Sequence, residues 1–223
     1  MPNYCFYIVG VGGTGSLLAR DLPQLLMSSH GHEMVLIDGD IVERRNMLRQ
    51  CFQDHDIGGN KAISLAKKIN TFYPIECEAM DVYLTRNELL EKIQRSPAIP
   101  VIIGCVDNDS TRRLMEKTFK NIDTGVYIDS ANSAYSGNVF CCIKSGGRYI
   151  GKTRGQARVL GKKDKNPAEM SCEERSGKGE LQYFVTNLKM ANCILEYCFS
   201  LISAGDPAMT GVTKIDRFTE IHY

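Results

Sequence analysis

Residues 4–18 of this chain read YCFYIVGVGGTGSLL: an apolar run breaks into a glycine-rich turn, and apolar residues resume at helical spacing. No other feature narrows the fold so far. A run with almost no polar residue suits a strand covered on both faces, the usual condition of a parallel sheet. Gly10, Gly12 and Gly15 follow that run and open the helix. Glycines there permit a tight turn and let phosphates approach the backbone, where helix N–H groups and the dipole favour negative charge. The alternative is a glycine-rich packing turn without a ligand.

The alternation continues along the chain. Met34–Ile37, Val101–Cys105 and Val126–Asp129 read as further strands, and Thr14–Ser28, Lys61–Phe72, Thr85–Gln94 and Ser110–Phe119 as helices. Thr85 and Glu88 have capping-box spacing, and Pro23 predicts a kink or break in the first helix. This order predicts a Rossmann-like, doubly wound α/β fold with a mainly parallel sheet and a ligand site beyond the carboxyl ends of the strands. After Ala131 the pattern changes. Asn138–Lys144 and Arg148–Lys152, joined by SGG, read as an antiparallel hairpin that extends the sheet after the fifth strand. Residues 153–180 read as a long, mobile crossover loop, Leu181–Ala204 as a helix and Val212–Tyr223 as a last strand. With 223 residues, 43% hydrophobic, a single domain over 1–223 is expected.

Composition excludes several functions. A net charge of +1 gives no general electrostatic case for nucleic acid or an anionic membrane, so any anion site must be local. No signal peptide is expected from the residues after Met1, and no apolar run approaches the roughly 18–20 residues that span a bilayer, so the expectation is a soluble, cytoplasmic chain. Nine cysteines, an odd number without the dense spacing of a secreted scaffold, suit a reducing compartment and should mostly be small buried hydrophobes. His30, His32, His55 and His222 are expected on surfaces or in turns.

The segment DGDIVERRNMLRQ, residues 38–50, carries the site chemistry. Asp38 ends the second strand, where a carboxylate can accept both ribose hydroxyls. A nicotinamide-dependent oxidoreductase would use Gly10–Gly15 and Asp38 equally well. Its two phosphates are already neutralised by the glycine loop, however, so Asn46, Arg49 and Lys61 would be surplus. A triphosphate uses them: Arg49 and Lys61 can neutralise the β and γ phosphates, and Asn46 can hydrogen-bond a phosphate or an attacking carboxylate. Asp107, in CVDND at the end of the fourth strand, is positioned to hold Mg²⁺. Each residue also has an ordinary reading, as a solvated arginine, a first-turn lysine or a helix cap.

Taken together, GVGGTG, DGDIVERRNMLRQ, GGNKA and CVDND resemble, in order and spacing, the nucleotide-binding motifs of the ThiF family. That family includes the adenylyltransferases ThiF and MoeB and the adenylation domain of ubiquitin-activating enzymes. The resemblance is specific over about residues 4–140; SANSAYSGNVFCCI and VTNLKMANCILEY look like the family's next strands and late helix. It implies an ATP- and Mg²⁺-dependent adenylyltransferase that activates the C-terminal glycine carboxylate of a ubiquitin-like or sulfur-carrier protein, and it implies a homodimer. The nucleotide would be held by Gly10, Gly12, Gly13, Gly15, Asp38, Asp40, Asn46, Arg49, Lys61, Asp107 and Asn108, with Asp107 on the metal.

Two departures from the family pattern stand out. Many members place a helix before the first strand that brings an arginine to the phosphates, whereas here the strand starts within a few residues of Met1. Either Arg44 or Arg45 substitutes, or adenylation is weak or lost. The paired CxxC motifs of a structural zinc site are absent, and Cys141 and Cys142 should face opposite sides of a strand, so no zinc is expected. Some relatives form a sulfur link through a crossover-loop cysteine. Cys172, flanked by Arg175 and Lys178 but also by Glu173 and Glu174, is the candidate nucleophile here, with an exposed bystander as the alternative. Three classes stay open: the adenylyltransferase, the oxidoreductase, and a non-catalytic nucleotide-binding or scaffold protein.

Overall fold

The computed structural model describes residues 2–29, 31–85, 87–161, 164–170, 183–203, 209–216 and 219–223. Its strands are β1 (Tyr4–Val9), β2 (Glu33–Ile37), β3 (Cys77–Met80), β4 (Ile99–Gly104), β5 (Gly125–Asn132), β6 (Gly137–Ser145), β7 (Arg148–Gly151), β8 (Gly211–Ile215) and β9 (Glu220–His222). They form one sheet in the order β3-β2-β1-β4-β5-β6-β8-β9, with β7 also on β6. The first five pair in parallel, and β6, β7, β8 and β9 pair antiparallel. This is the expected Rossmann-like arrangement. Strand order reverses between β1 and β4, the switch point at which open α/β sheets bind ligands.

Both faces of the sheet are covered, which is why β1 is apolar at nearly every position. Phe6 and Ile8 point into one core with α1 (Gly13–Leu26), α2 (Lys61–Phe72) and α5 (Phe184–Ser203). Cys5, Tyr7 and Val9 point into the other with α3 (Glu88–Gln94) and α4 (Asp109–Lys120). Cys141 and Cys142 are divided between these cores as their adjacency on β6 requires. Of the eight described cysteines, all free, six are buried. No helix among the described residues is long and apolar enough to cross a membrane.

Several expectations need correction. α1 continues through Pro23 to Leu26; only the last turn follows the proline, and the Met27 N–H closes onto the Pro23 carbonyl at 3.1 Å. β3 went unread because it is four residues long and buried only at Cys77. The expected last strand is a hairpin, since Asp216 turns the chain: its N–H bonds the Thr219 carbonyl at 2.8 Å and its carboxylate accepts the Thr219 N–H at 2.6 Å. His32 is buried rather than superficial, accepting the Tyr4 N–H at 3.2 Å and pairing with the Ser29 hydroxyl at 2.7 Å. The Thr85–Glu88 pair forms, although the helix itself begins at Glu88.

The described part of the crossover segment is fastened across the carboxyl end of the sheet. Arg154, buried, pairs with the fully buried Asp129, which lies on β5 opposite Gly104 at the end of β4, and donates to Asn138 Oδ1 at 2.7 Å. The Gly155 N–H donates to Glu116 at 2.6 Å and the Gly161 N–H to Asp109 at 2.5 Å, both on α4. Asn166 reaches the Leu84 carbonyl at 2.7 Å. Residues 171–182, with Cys172 among them, lie outside the described residues.

The turn that opens α1 depends on close backbone approach. Gly10 has φ +84°, and a Cβ on Gly15 would lie 1.9 Å from the Gly10 carbonyl oxygen. Gly15→Ala is therefore expected to lower unfolding free energy by about 1–3 kcal/mol, measured as a fall in the urea midpoint; an unchanged midpoint would contradict this contact.

Candidate nucleotide-binding site

The site grows from the ends of β1, β2 and β4. The Gly10 N–H bonds the Ile37 carbonyl at 2.8 Å and the Cys105 N–H bonds the Val9 carbonyl at 2.8 Å, so the chain leaves β1 in register with both neighbours. Gly12 caps α1 without a side-chain hydrogen bond. The first-turn N–H groups of this helix thus lack a side-chain acceptor, and a helix start in that state attracts anions.

Asp38 ties this turn to the end of β2. Its Oδ2 accepts the Val11 N–H at 2.8 Å and its Oδ1 the Asp40 N–H at 2.8 Å. Burial pushes the carboxyl up to about 6, against the opposing pull of the Lys61 ammonium and these two N–H donors. Each oxygen keeps a second lone pair for an incoming hydroxyl.

The GGNKA motif then docks onto DGD. Asn60 caps α2 by accepting the Ile63 N–H at 3.0 Å, while its Nδ2 donates to the carbonyls of Asp38 at 2.8 Å and Asp40 at 3.2 Å. The Lys61 N–H donates to the Asp40 carbonyl at 2.9 Å. Lys61, 5% exposed, holds Asp40 Oδ2 with its Nζ at 2.9 Å. The Tyr83 hydroxyl takes the other Asp40 oxygen, and its ring lies so close that a Cβ on Gly39 would be 2.6 Å from it. A cation buried this deeply is retained because it is paired.

Between the two motifs, Arg44–Leu48 forms a 3₁₀ turn. Asn46 is buried in it: its Oδ1 accepts the Glu43 N–H at 2.8 Å, and its Nδ2 has no partner among the described residues. Arg49 follows at once, half-buried, its N–H on the Asn46 carbonyl at 3.1 Å. Arg44 and Arg45 are exposed and pair with Asp54 at 3.4 Å and with Glu43.

Beyond β4, Asp107 is exposed, and its carboxylate takes one long hydrogen bond, from Asn108 Nδ2 at 3.5 Å. Asn108 itself caps α4, accepting the Thr111 N–H at 2.8 Å. The N-terminus of α4 is filled by the crossover segment: Asp164 accepts the N–H groups of Asp109 at 2.8 Å and Ser110 at 2.6 Å.

Contacts thus join Gly10–Gly15, Asp38, Asp40 and Lys61 directly, and they set Asn46 and Arg49 on the turn between. Asp107 lies one strand away, since Val9 on β1 is paired with Gly104 on β4. Sequence reasoning missed Asn60 and Tyr83. An asparagine before a helix is a readable cap signal; nothing marks Tyr83, 43 residues from its partner. These residues fit a nucleotide: an anion-seeking helix start, an acceptor for hydroxyls, an amide donor and cations for phosphate, and an exposed carboxylate of the hard-oxygen kind that Mg²⁺ takes.

The chain is 31% identical over 110 residues to the SAMP-activating enzyme E1 of Haloferax volcanii, covering 48% of this chain and 38% of that one. It is 27% identical over 125 residues to ubiquitin-like modifier-activating enzyme 5 of Bombyx mori, covering 52% and 31%. It spans only 31–38% of the length of these two relatives. Among solved structures, E. coli MccB with ATP superposes with a TM-score of 0.69 at 17% identity, covering 98% of this chain and 63% of that one. PaaA superposes at 0.67 and 17%, covering 98% and 64%. These two share the fold. A model of the ThiF family matches residues 3–204, nearly the whole chain, and the protein belongs to that family.

Proposed function

We propose that this protein is an ATP- and Mg²⁺-dependent adenylyltransferase that activates the C-terminal glycine carboxylate of a ubiquitin-like or sulfur-carrier protein. The observation that carries the reading is the buried Lys61, fixed by Asp40 at 2.9 Å beside the ribose-binding candidate Asp38, with Asn46 and Arg49 on the adjoining turn. A dinucleotide brings two phosphates, which the glycine turn can take, whereas a triphosphate brings a third for Lys61, Asn46 and Arg49. Membership of the ThiF family and likeness to two named activating enzymes support it.

In this reading Asp38 accepts the ribose hydroxyls and the N–H groups at the start of α1 receive phosphate. Lys61 moves from Asp40 to the β and γ phosphates, joined by Arg49, and Asn46 offers its Nδ2 to phosphate or to the incoming carboxylate. The carboxylate oxygen attacks the α phosphorus in line; the new O–P bond forms as the bond to the bridging oxygen breaks, and that electron pair leaves on pyrophosphate. The nucleophile is already ionised at neutral pH, so no general base is required. Asp107 would hold Mg²⁺, which supplies neutralising charge to the phosphates when bound. A homodimer, and a later sulfur-linked step at Cys172, belong to the same proposal.

With a glycine-terminated carrier protein present, labelled pyrophosphate should exchange into ATP, and Asp107→Ala should abolish the Mg²⁺-dependent exchange while leaving the circular dichroism spectrum unchanged. Retained exchange in that variant would sink the metal assignment. Asp38 adds a pH dependence. Its carboxyl titrates near 6, and only the ionised form accepts both hydroxyls while keeping the Val11 and Asp40 N–H bonds. Affinity for adenosine, which carries no phosphate to titrate, should rise as pH increases through about 6. Calorimetric titration should show Asp38→Asn flattening that rise; a profile unaltered by the substitution would exclude Asp38 as the acceptor.

A further inference from the structure

Two side-chain amides outside the set above converge on the first turn of α1. Asn187, on α5, is 0% exposed, and its Nδ2 is buried with no hydrogen-bond partner among the described residues. The direction of this amide is fixed, because Asn132 Nδ2 donates to Asn187 Oδ1 at 2.9 Å and leaves the donor end facing α1. There it lies against Gly13: a Cβ on that residue would be 2.3 Å from Asn187 Nδ2. Gln50 approaches the same turn at Gly12. It is 8% exposed, its Oε1 is buried without a partner, and its Nε2 is the nearest atom to the position a Cβ on Gly12 would take, at 3.8 Å.

Native proteins seldom leave buried donors and acceptors unmatched, since each forfeits the hydration it had in the unfolded chain. An anion on that helix start would supply the partner that Asn187 Nδ2 lacks, and Gln50 Nε2, the nearest atom to Gly12, presents a second donor to the same turn; the unmatched Gln50 Oε1 is an acceptor and takes no part in that contact. Neutral amides suit the place, because they add donors without adding charge to a site that already holds Lys61 and Arg49. Gly13 explains itself in the same terms, since any side chain there would displace Asn187.

We infer that Gln50 and Asn187 form an amide pair that completes the anion cradle at the start of α1 and donates to a phosphoryl group of the bound nucleotide. This deepens the proposed function and rests on it for the identity of the nucleotide. Because Asn187 sits on α5 and Asn132 at the end of β5, phosphate binding would also draw these two elements onto the glycine turn.

The test is calorimetric titration of the wild-type chain and of Asn187→Asp and Gln50→Glu with ATP, inorganic pyrophosphate and adenosine. Each substitution keeps the side chain's shape and replaces its donor by a carboxylate oxygen; Asn187→Asp also keeps an acceptor for Asn132. If either variant fails to fold by circular dichroism, Asn187→Ala or Gln50→Ala takes its place. Losses of roughly tenfold or more for ATP and pyrophosphate, with adenosine binding unchanged, are expected. ATP and pyrophosphate binding at wild-type strength in either variant would overturn the amide pair while leaving the adenylyltransferase reading intact. Pyrophosphate binding that is amide-dependent, without ATP binding by the wild type, would support the pair and overturn that reading. Binding of neither probe by the wild type would overturn both.

Discussion

The carboxylate of Asp38 is the joint on which the site turns. One oxygen holds the N–H that follows the first glycine, and the other holds the N–H two residues on in its own strand extension. The glycine turn after β1 and the end of β2 are therefore one rigid piece. The sheet makes this possible. β1 and β2 lie side by side in parallel, so both chains emerge at the same edge, and burial of that edge raises the carboxyl while its two N–H donors favour the ionised form. Remove the carboxylate and the turn keeps its glycines but loses its anchor.

Asp40 carries the next link. Its carboxylate is shared between the Lys61 ammonium and the Tyr83 hydroxyl, so the lysine is parked against an acid when no phosphate is there to take it. This arrangement keeps a nearly buried cation tolerable and holds it a short movement from its proposed partner. Asn60 fixes the distance between the motifs by binding the carbonyls on either side of Gly39 while capping α2. The charge that the motif presents to solvent is correspondingly modest, in keeping with a chain whose net charge is only +1. Across β4 and β5 the crossover segment performs a different task. Arg154 and Asp164 fasten it to Asp129 and to the start of α4, whereas no side chain caps the start of α1.

Much of this was legible from sequence because period and chemistry coincide. β1 is apolar at successive positions since both of its faces are covered, and α2 could be delimited as Lys61–Phe72 because its apolar residues recur at helical spacing. Legibility failed where the determinants are distant in the chain or too short to have a period. β3 has four residues, and the β8–β9 turn is set by one aspartate. Pro23 signals a break in any sequence scan, but with one turn of helix left to lose, packing of Leu22 and Leu26 into the core prevails. His32 belongs to no pattern; its burial follows from contacts with Tyr4 and Ser29 that only the folded chain supplies. In the site, the glycine turn and the 38–50 segment stand in readable motifs, while the Tyr83–Asp40 contact and the docking of the crossover segment on α4 are tertiary and left no local trace.

The central claim is that this edge of the sheet is built for three linked phosphoryl groups. Calorimetric affinities for ATP, AMP and NADH, in wild type and in Arg49→Ala and Lys61→Ala variants with Mg²⁺ present, test it most directly. The account predicts that wild type binds ATP at least about tenfold more tightly than AMP and that each substitution erases most of that difference. NADH binding tighter than ATP, indifferent to both substitutions, would contradict it.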